Sequence, residues 1–274
     1  MNALKFFMII FLLECLIYSC EESDSSQEFV PKPVVEGYLY EGTPVRNLKI
    51  SELVKFDEVN DFGEKLISGL DIKIRIDHAE YPLYENPDHP GYYGTENDDL
   101  ILQPAQNIEF SFLFNSTNVS ASTRVPSKPL NLSISDAVKY ISPIQSYWDL
   151  QQLAEISVQV RWTNDDHSYY YISVKNIETN PQTLDPEDLL PDLGNSFDIP
   201  PLATDFSNIF FNKIQYYGRY MVVVSKVNAE YTAIYQSQNQ DSRTLTELAS
   251  NIENGYGIFT ALAADTVYFE IKEP

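Results

Sequence analysis

The chain of 274 residues is 43% hydrophobic and 21% charged, with 19 Tyr and 15 Phe, a composition that excludes disorder and suits one large or two modest folded domains. Its 10 Gly and 16 Pro exclude collagen-like and low-complexity architectures. A formal net charge of −22, with no cluster of Lys and Arg, excludes nucleic acid as a partner and charge-driven adhesion to anionic lipid.

The first segment reads as an export signal over residues 1–19. Lys5 supplies a short positive stretch, and Phe6 to Leu13 is an apolar run too short to remain as a membrane-spanning helix. Leu16-Ile17-Tyr18-Ser19-Cys20 follows, with a small residue before the Cys and aliphatic residues three and four before it. This resembles the lipobox of bacterial lipoproteins, which implies cleavage before Cys20 and lipid attachment to it. Cys15, the only other cysteine, leaves with the signal peptide, so the mature chain has no disulfide framework. Residues 20–32 form a polar tether bounded by Pro31 and Pro33. Glu21, Glu22 and Asp24 stand directly behind the Cys. Such an acidic run resembles the surface-export signal of Bacteroidota lipoproteins and implies display on the outer face of the outer membrane. As a plain solvated spacer the same residues would serve any lipoprotein.

The folded part begins at Val34. Val34-Val35-Glu36-Gly37-Tyr38-Leu39-Tyr40 is β-branched and aromatic, and Leu48, Ile50 and Leu53 continue a strand pattern. Ile72, Ile74 and Ile76 alternate with Lys73 and Arg75, as Ile108, Phe110, Phe112 and Phe114 alternate with their neighbours, which predicts strands wet on one face. Ser120 to Val125 closes the series, and Asn86 to Gly91 reads as a turn. The segment 33–126 is thus expected to be an antiparallel, prealbumin- or Ig-like β-sandwich.

Pro126 and Pro129 open a second unit, 127–274. Ile156, Val158, Val160 and Trp162 alternate, with Trp162 on the inward face as in fibronectin type III-like sandwiches. Tyr169 to Ile177 and Arg219 to Ser225 read as strands, Asn228 to Gln238 as one short helix capped by Asn228, and Gly257 to Ala261 and Thr266 to Lys272 as a last strand pair. Asn254-Gly255 is a tight-turn pair, and Gly257 permits close backbone approach. Residues 178–218 are read as a long acidic excursion of the functional kind. The fold class is therefore mainly all-β, two consecutive antiparallel sandwiches with one helix in the second.

The opening strand, the closing Ala121-Ser122-Thr123-Arg124-Val125-Pro126 and the segment Ser250-Asn251-Ile252-Glu253-Asn254-Gly255-Tyr256-Gly257-Ile258-Phe259 together resemble a family of Bacteroidota outer-membrane lipoproteins defined by a domain of unknown function. Members are encoded beside SusC-like TonB-dependent transporters, so the resemblance implies such a transporter as partner, and no activity.

Catalytic motifs are absent: no G-x-S-x-G, no H-E-x-x-H, no P-loop and no dinucleotide-binding glycine pattern. His78, His89 and His167 lack any recognised ligand spacing. Glu96-Asn97-Asp98-Asp99 and Asp185-Pro186-Glu187-Asp188 offer oxygen ligands of the kind Ca²⁺ takes, without an EF-hand pattern, so no cofactor is expected beyond that one alternative. Tyrosine is the suggestive excess, and the pairs Tyr92-Tyr93 and Tyr216-Tyr217 are the candidate interface, because exposed Tyr favours protein contacts and stacks on sugars. The expected function is a non-enzymatic surface lipoprotein that binds cargo, glycan or peptide, for a TonB-dependent transporter. The alternatives are a structural or adhesive module binding glycans or other surface components, and, behind both, a glycan hydrolase.

Overall fold

The structure, a computed structural model, describes residues 30–54, 64–96, 98–187, 189, 191, 193–238 and 249–274. The expected signal peptide, Cys20 and the export residues Glu21, Glu22 and Asp24 lie outside the described residues. Among the described residues no helix is long and apolar enough to cross a membrane.

The chain is mainly β, as its sequence implies. The first half contributes β1 (Pro33–Tyr40), β2 (Leu48–Glu52), β3 (Lys65–Leu66), β4 (Ile72–Ile76), β5 (Ala79–Asn86), β6 (His89–Gly94), β7 (Asn107–Phe114) and β8 (Thr117–Arg124). The second contributes β9 (Leu130–Ile134), β10 (Val138–Tyr140), helix α1 (Tyr147–Leu153), β11 (Ser157–Thr163), β12 (Tyr169–Asn176), β13 (Ser196–Leu202), β14 (Phe206–Phe210), β15 (Gly218–Val227), helix α2 (Ala229–Gln238) and β16 (Tyr256–Lys272). One sheet has the path β13-β12-β15-β16-β1-β2-β6-β5-β4-β7-β8, and a second is β14-β11-β9.

The long sheet doubles over at β5, whose first half pairs with β4 and whose second half pairs with β6. The layer β6-β2-β1 with the start of β16 therefore faces the layer β5-β4-β7-β8. Between them lies the first core, built from Val35, Leu39, Leu48, Ile50, Ile72, Ile74, Ile108, Phe110, Val119 and Phe259, among others. The alternation in β4 is strict: its three Ile are buried, while Lys73 and Arg75 point out and pair across strands with Glu80 and Glu109. Gly37 is the small residue opposite a large one. A Cβ there would stand 2.7 Å from both Leu48 Cδ1 and Phe259 Cδ2. Phe259 uses that space to meet Phe110 edge-on at 4.7 Å.

The second core lies between β12, β15 and the end of β16 on one side and β14-β11 on the other. Val158, Val160 and Trp162 of β11 face Ile172, Val174, Tyr220, Val222, Val224 and Phe269. Trp162 points inward as expected and packs on Tyr170 at 5.0 Å.

Several expectations are corrected. The last strand pair is one continuous strand, β16, which pairs with β15 along Leu262–Ile271 and with β1 along Tyr256–Leu262. The β1–β16 and β10–β16 pairs are parallel, so the long sheet is mixed rather than antiparallel. Residues 256–262 consequently belong to the first core, although the chain order puts them in the 127–274 unit. The 178–218 excursion holds β13, β14 and a 3₁₀ turn at Phe211–Lys213, and its apolar residues Ile209, Phe211 and Ile214 join the second core. Among the described residues two helices occur, not one, because Ser146 and Asp149 start a short helix that the apolar periodicity does not announce.

Both readings of the 254–257 segment hold. Asn254 has φ 59° and Gly257 φ 104°, and a Cβ on Gly257 would collide with the Val35 carbonyl oxygen. Asn251 fixes the same stretch, accepting from the Phe259 N–H (2.9 Å) and donating to the Phe259 carbonyl (2.7 Å). Asn228 pins the start of α2, its side-chain amide donating to Thr123 Oγ1 and to the carbonyls of Arg124 and Ala261.

Candidate functional site: an aromatic end and a polar groove

The candidate tyrosines divide inward from outward. Tyr93 is buried in the first core. Its hydroxyl donates to the Ile67 carbonyl (2.8 Å) and accepts from the Leu70 N–H (3.2 Å). Tyr217 is buried in the second, and its hydroxyl donates to the Ile141 carbonyl at 2.9 Å. These two are corrected from interface to core: adjacent strand residues face opposite ways, so one of each pair must turn in. Tyr92 and Tyr216 remain half-buried at the surface. They stand in different parts of the fold, Tyr92 on β6 over the first core and Tyr216 just before β15 beside the second, and form no joint patch.

The neighbourhood of Tyr216 is more telling than the pair. Tyr216 bridges to Thr183, the Leu184 N–H donates to the Gln215 carbonyl, and the Ile144 N–H donates to the Leu184 carbonyl, both at 2.8 Å. With the Tyr217–Ile141 bond this knits residues 141–146 to the strand end. On either side of that span stand the three most exposed aromatic side chains of the described residues: Tyr147 at 71%, Trp148 at 67% and Tyr140 at 64%. Tyr140 sits where β16 finishes, since β10 pairs from Val138↔Glu270 to Tyr140↔Lys272, and the chain runs from there through Ile141, whose N–H donates to the Lys272 carbonyl, to Tyr147 and Trp148. Large aromatics this open cluster at contact sites far more than on inert surface.

Helix α1 sets Tyr147 and Trp148 in place. Ser146 is its N-cap and Asp149 closes a reciprocal box: the Asp149 carboxylate accepts from the Gln145 N–H (3.0 Å) and the Ser146 hydroxyl (2.9 Å). The Gln145 N–H bond, followed by that of Ser146, holds the Asp149 carboxyl below the ordinary Asp range. The signal for this site was Ser-x-x-Asp in the sequence, with two aromatics between the caps.

At the opposite end of β16 the described N-terminal residues begin. Val34 pairs with Tyr256, the Lys32 carbonyl accepts from the Leu53 N–H, and the Lys32 ammonium lies 5.1 Å over the Tyr256 ring. Between the two ends run the 17 residues of β16, roughly 50 Å at the usual strand rise.

A groove of about 520 Å³ lies on the outer face of β4-β7-β8, walled by the 251–253 segment. Its floor is Ser111, Ser120 and Ser122. Its carboxylates are engaged: Glu80 with Lys73 at 3.1 Å, Glu109 with Arg75, and Glu253 with the Ser120 hydroxyl at 3.0 Å. Hydrolysis of a glycoside needs an acid and a base opposed across a scissile bond, and these side chains are tied to neighbours instead. His78, His89 and His167 are all exposed, His78 in the β4–β5 turn, His89 at the start of β6 and His167 in the loop between β11 and β12. Among the described residues no three His, Cys, Asp or Glu side chains converge as metal ligands. Of the acidic stretches, Asp98 pairs with Arg46 and Asp185 is buried. Asn97 and Asp188 lie outside the described residues.

Fold and surface together define an all-β protein of two packed cores strung on one strand, with exposed aromatics toward one end. The chain belongs to the family described as domain of unknown function DUF4249, whose model matches residues 18–267. No curated protein matches it. A solved structure described as "Structural insight into host cell surface retention of a 1.5-MDa bacterial ice-binding adhesin" aligns at 9% identity over 89% of this chain and 65% of that one, with a TM-score of 0.23. The chain thus spans just under two thirds of that structure's length.

Proposed function

We propose that the protein is a non-enzymatic lipoprotein on the outer face of a Bacteroidota outer membrane, tethered through Cys20, that serves a SusC-like TonB-dependent transporter as an accessory and holds cargo for it. The observation that carries this reading is the exposed Tyr140, Tyr147 and Trp148 at the end of β16 remote from the tether. A chain anchored at one end and bearing its open aromatics at the other is built to meet something away from its anchor. The lipobox-like Leu16 to Cys20 and the acidic Glu21, Glu22 and Asp24 support the address, and the engaged carboxylates of the groove support binding over hydrolysis.

Purification of the full-length protein from detergent-solubilised outer membrane tests the partnership. A transporter-sized band is expected with the wild type and its loss with Tyr147→Ala/Trp148→Ala. Recovery of the wild type alone would sink the transporter claim and favour an adhesive module. The anchor is tested separately: Cys20→Ala is expected to release the protein from the membrane fraction, and an unchanged membrane fraction would overturn it.

A further inference from the structure

A second aromatic surface crosses the outer face of the long sheet, where neither sandwich core lies. Over the strand order β13-β12-β15-β16-β1, roughly 19 Å wide at the usual strand spacing, rings stand in a row. Tyr38 of β1 meets Tyr231 of α2 at 6.5 Å, Tyr231 meets Tyr171 of β12 at 5.7 Å, and Tyr171 meets Tyr235 of α2 at 6.1 Å. The strands between carry small side chains at this level, Ser225 opposite Tyr171 and Ala264 opposite Ser225. Packing of α2 onto the sheet accounts for the middle of the row but not for its ends. Tyr40, 51% exposed, extends it on one side into a hollow of about 400 Å³ with Thr43, Pro44, Arg46 and Asn47. On the other side Tyr235 lines a second hollow, also about 400 Å³, with Pro200, Pro201, Thr232 and Gln236.

We propose that this row of tyrosines and its two flanking hollows bind a neutral, hydroxyl-rich oligosaccharide. The chemistry is twofold. Ring faces match the C–H faces of sugar rings, and the phenols, the Asn47 and Gln236 amides and the Asp198 carboxylate match hydroxyls that both donate and accept. Burial and then the neighbouring Asp198 carboxylate push the Tyr171 phenol up, so a carboxylate for hydroxyl recognition stands beside a stacking face. Burial, then the Tyr38 and Asp198 neighbours, pushes the Tyr231 phenol up to about 12, and like any phenol it is a proton donor at neutral pH. Charge selects against anionic glycans: the chain carries −22, and Arg46, which lines one hollow, is paired with Asp98. This surface is distinct from the aromatic end, so the inference stands or falls apart from the transporter partnership.

The test is an array of neutral and anionic glycans probed with the full mature chain, followed by calorimetric titration of the best neutral oligosaccharide. Tyr40→Ala and Tyr235→Ala are each expected to weaken binding at least about tenfold, roughly 1.4 kcal/mol, with Phe206→Ala, exposed on β14 of the other sheet, unchanged. Tyr40, half-exposed on β1 and outside both cores, keeps the test valid if Tyr235→Ala loosens α2. Binding of anionic glycans only, of no neutral glycan, or of neutral glycans equally by Tyr40→Ala would overturn the proposal.

Discussion

The two cores are close to equal in makeup but not in independence. The second core takes its strands from residues after Leu130, and all its pairings can form within one half of the chain. The first core cannot close from its own half: β1 has β2 on one side and residues 256–262 of β16 on the other, and Phe259 fills the space that Gly37 leaves. The comparison teaches that chain order and core membership differ here. A single strand near the end of the chain completes the core formed near its beginning, and the long loop closure this requires makes that pairing a late and costly contact.

The largest expected effect breaks the first core from the second. A fragment ending near residue 126 lacks Ile252, Phe259 and Ala261, which are core residues, and leaves β1 with an open apolar edge. It is expected to show no cooperative thermal transition by circular dichroism, while the 30–274 chain shows one. A sharp transition in the short fragment would mean that β16 only decorates a core already closed.

How much of this was legible in the sequence follows from the range of the interactions. Strands whose faces alternate, such as Ile72-Lys73-Ile74-Arg75-Ile76, announce themselves because burial and exposure repeat every two residues. The inward Trp162 and the turn at Asn254 were equally local. The parallel pairing of β1 with β16 was not, because nothing in either strand names a partner more than 200 residues away. The break expected between Ala261 and Thr266 is absent: Leu262-Ala263-Ala264-Asp265 looks like a turn, yet β15 pairs along all of it, and β1 reaches Leu262. At the candidate site, tyrosine doublets drew the eye, but a strand turns one of each pair inward, whereas Tyr147 and Trp148 are presented by a helix too short for periodicity to reveal.

The shared strand offers the next test. Gly257→Ala puts a Cβ against the Val35 carbonyl at a φ of 104°, and about 3 kcal/mol or more of destabilisation is expected. Phe259→Ala and Phe269→Ala remove one aromatic from the first and the second core respectively, each at about 3–5 kcal/mol. If β16 couples the cores, each variant lowers a single denaturant midpoint. Two separated transitions in Phe259→Ala alone would show that the second core survives the loss of the first, which sharpens the asymmetry argued above.

A smaller contrast concerns polar groups inside each core. Tyr93 satisfies two backbone groups through its hydroxyl, so Tyr93→Phe strands the Leu70 N–H and the Ile67 carbonyl and is expected to cost about 1–3 kcal/mol. Trp162 has no hydrogen-bond partner for its buried Nε1. Trp162→Phe therefore loses packing but relieves a buried donor, and a cost below that of the roughly 3–5 kcal/mol for full aromatic truncation is expected. Urea midpoints of the two variants check this, and a Trp162→Phe loss as large as Phe269→Ala would show that the indole N–H has a partner after all.

The smallest effect is local and separates the aromatic end from the core beneath it. Asp149 has its carboxyl lowered from the usual Asp value, first by the Gln145 N–H and then by the Ser146 hydroxyl. A depressed folded value means that the carboxylate stabilises the start of α1 at pH above about 3.8, and that this contribution is lost as pH falls through the lowered value. The chain has two tryptophans, Trp148 and Trp162. In a Trp162→Phe background, fluorescence therefore reports on the residue next to Asp149 alone. Acidification below about pH 4 is expected to shift Trp148 emission before the circular dichroism of the sheets changes, and Asp149→Asn is expected to abolish that early step. A Trp148 signal that moves only together with the sheet signal would mean that the aromatic end is no softer than the core, and that the box at Ser146 does not hold it separately.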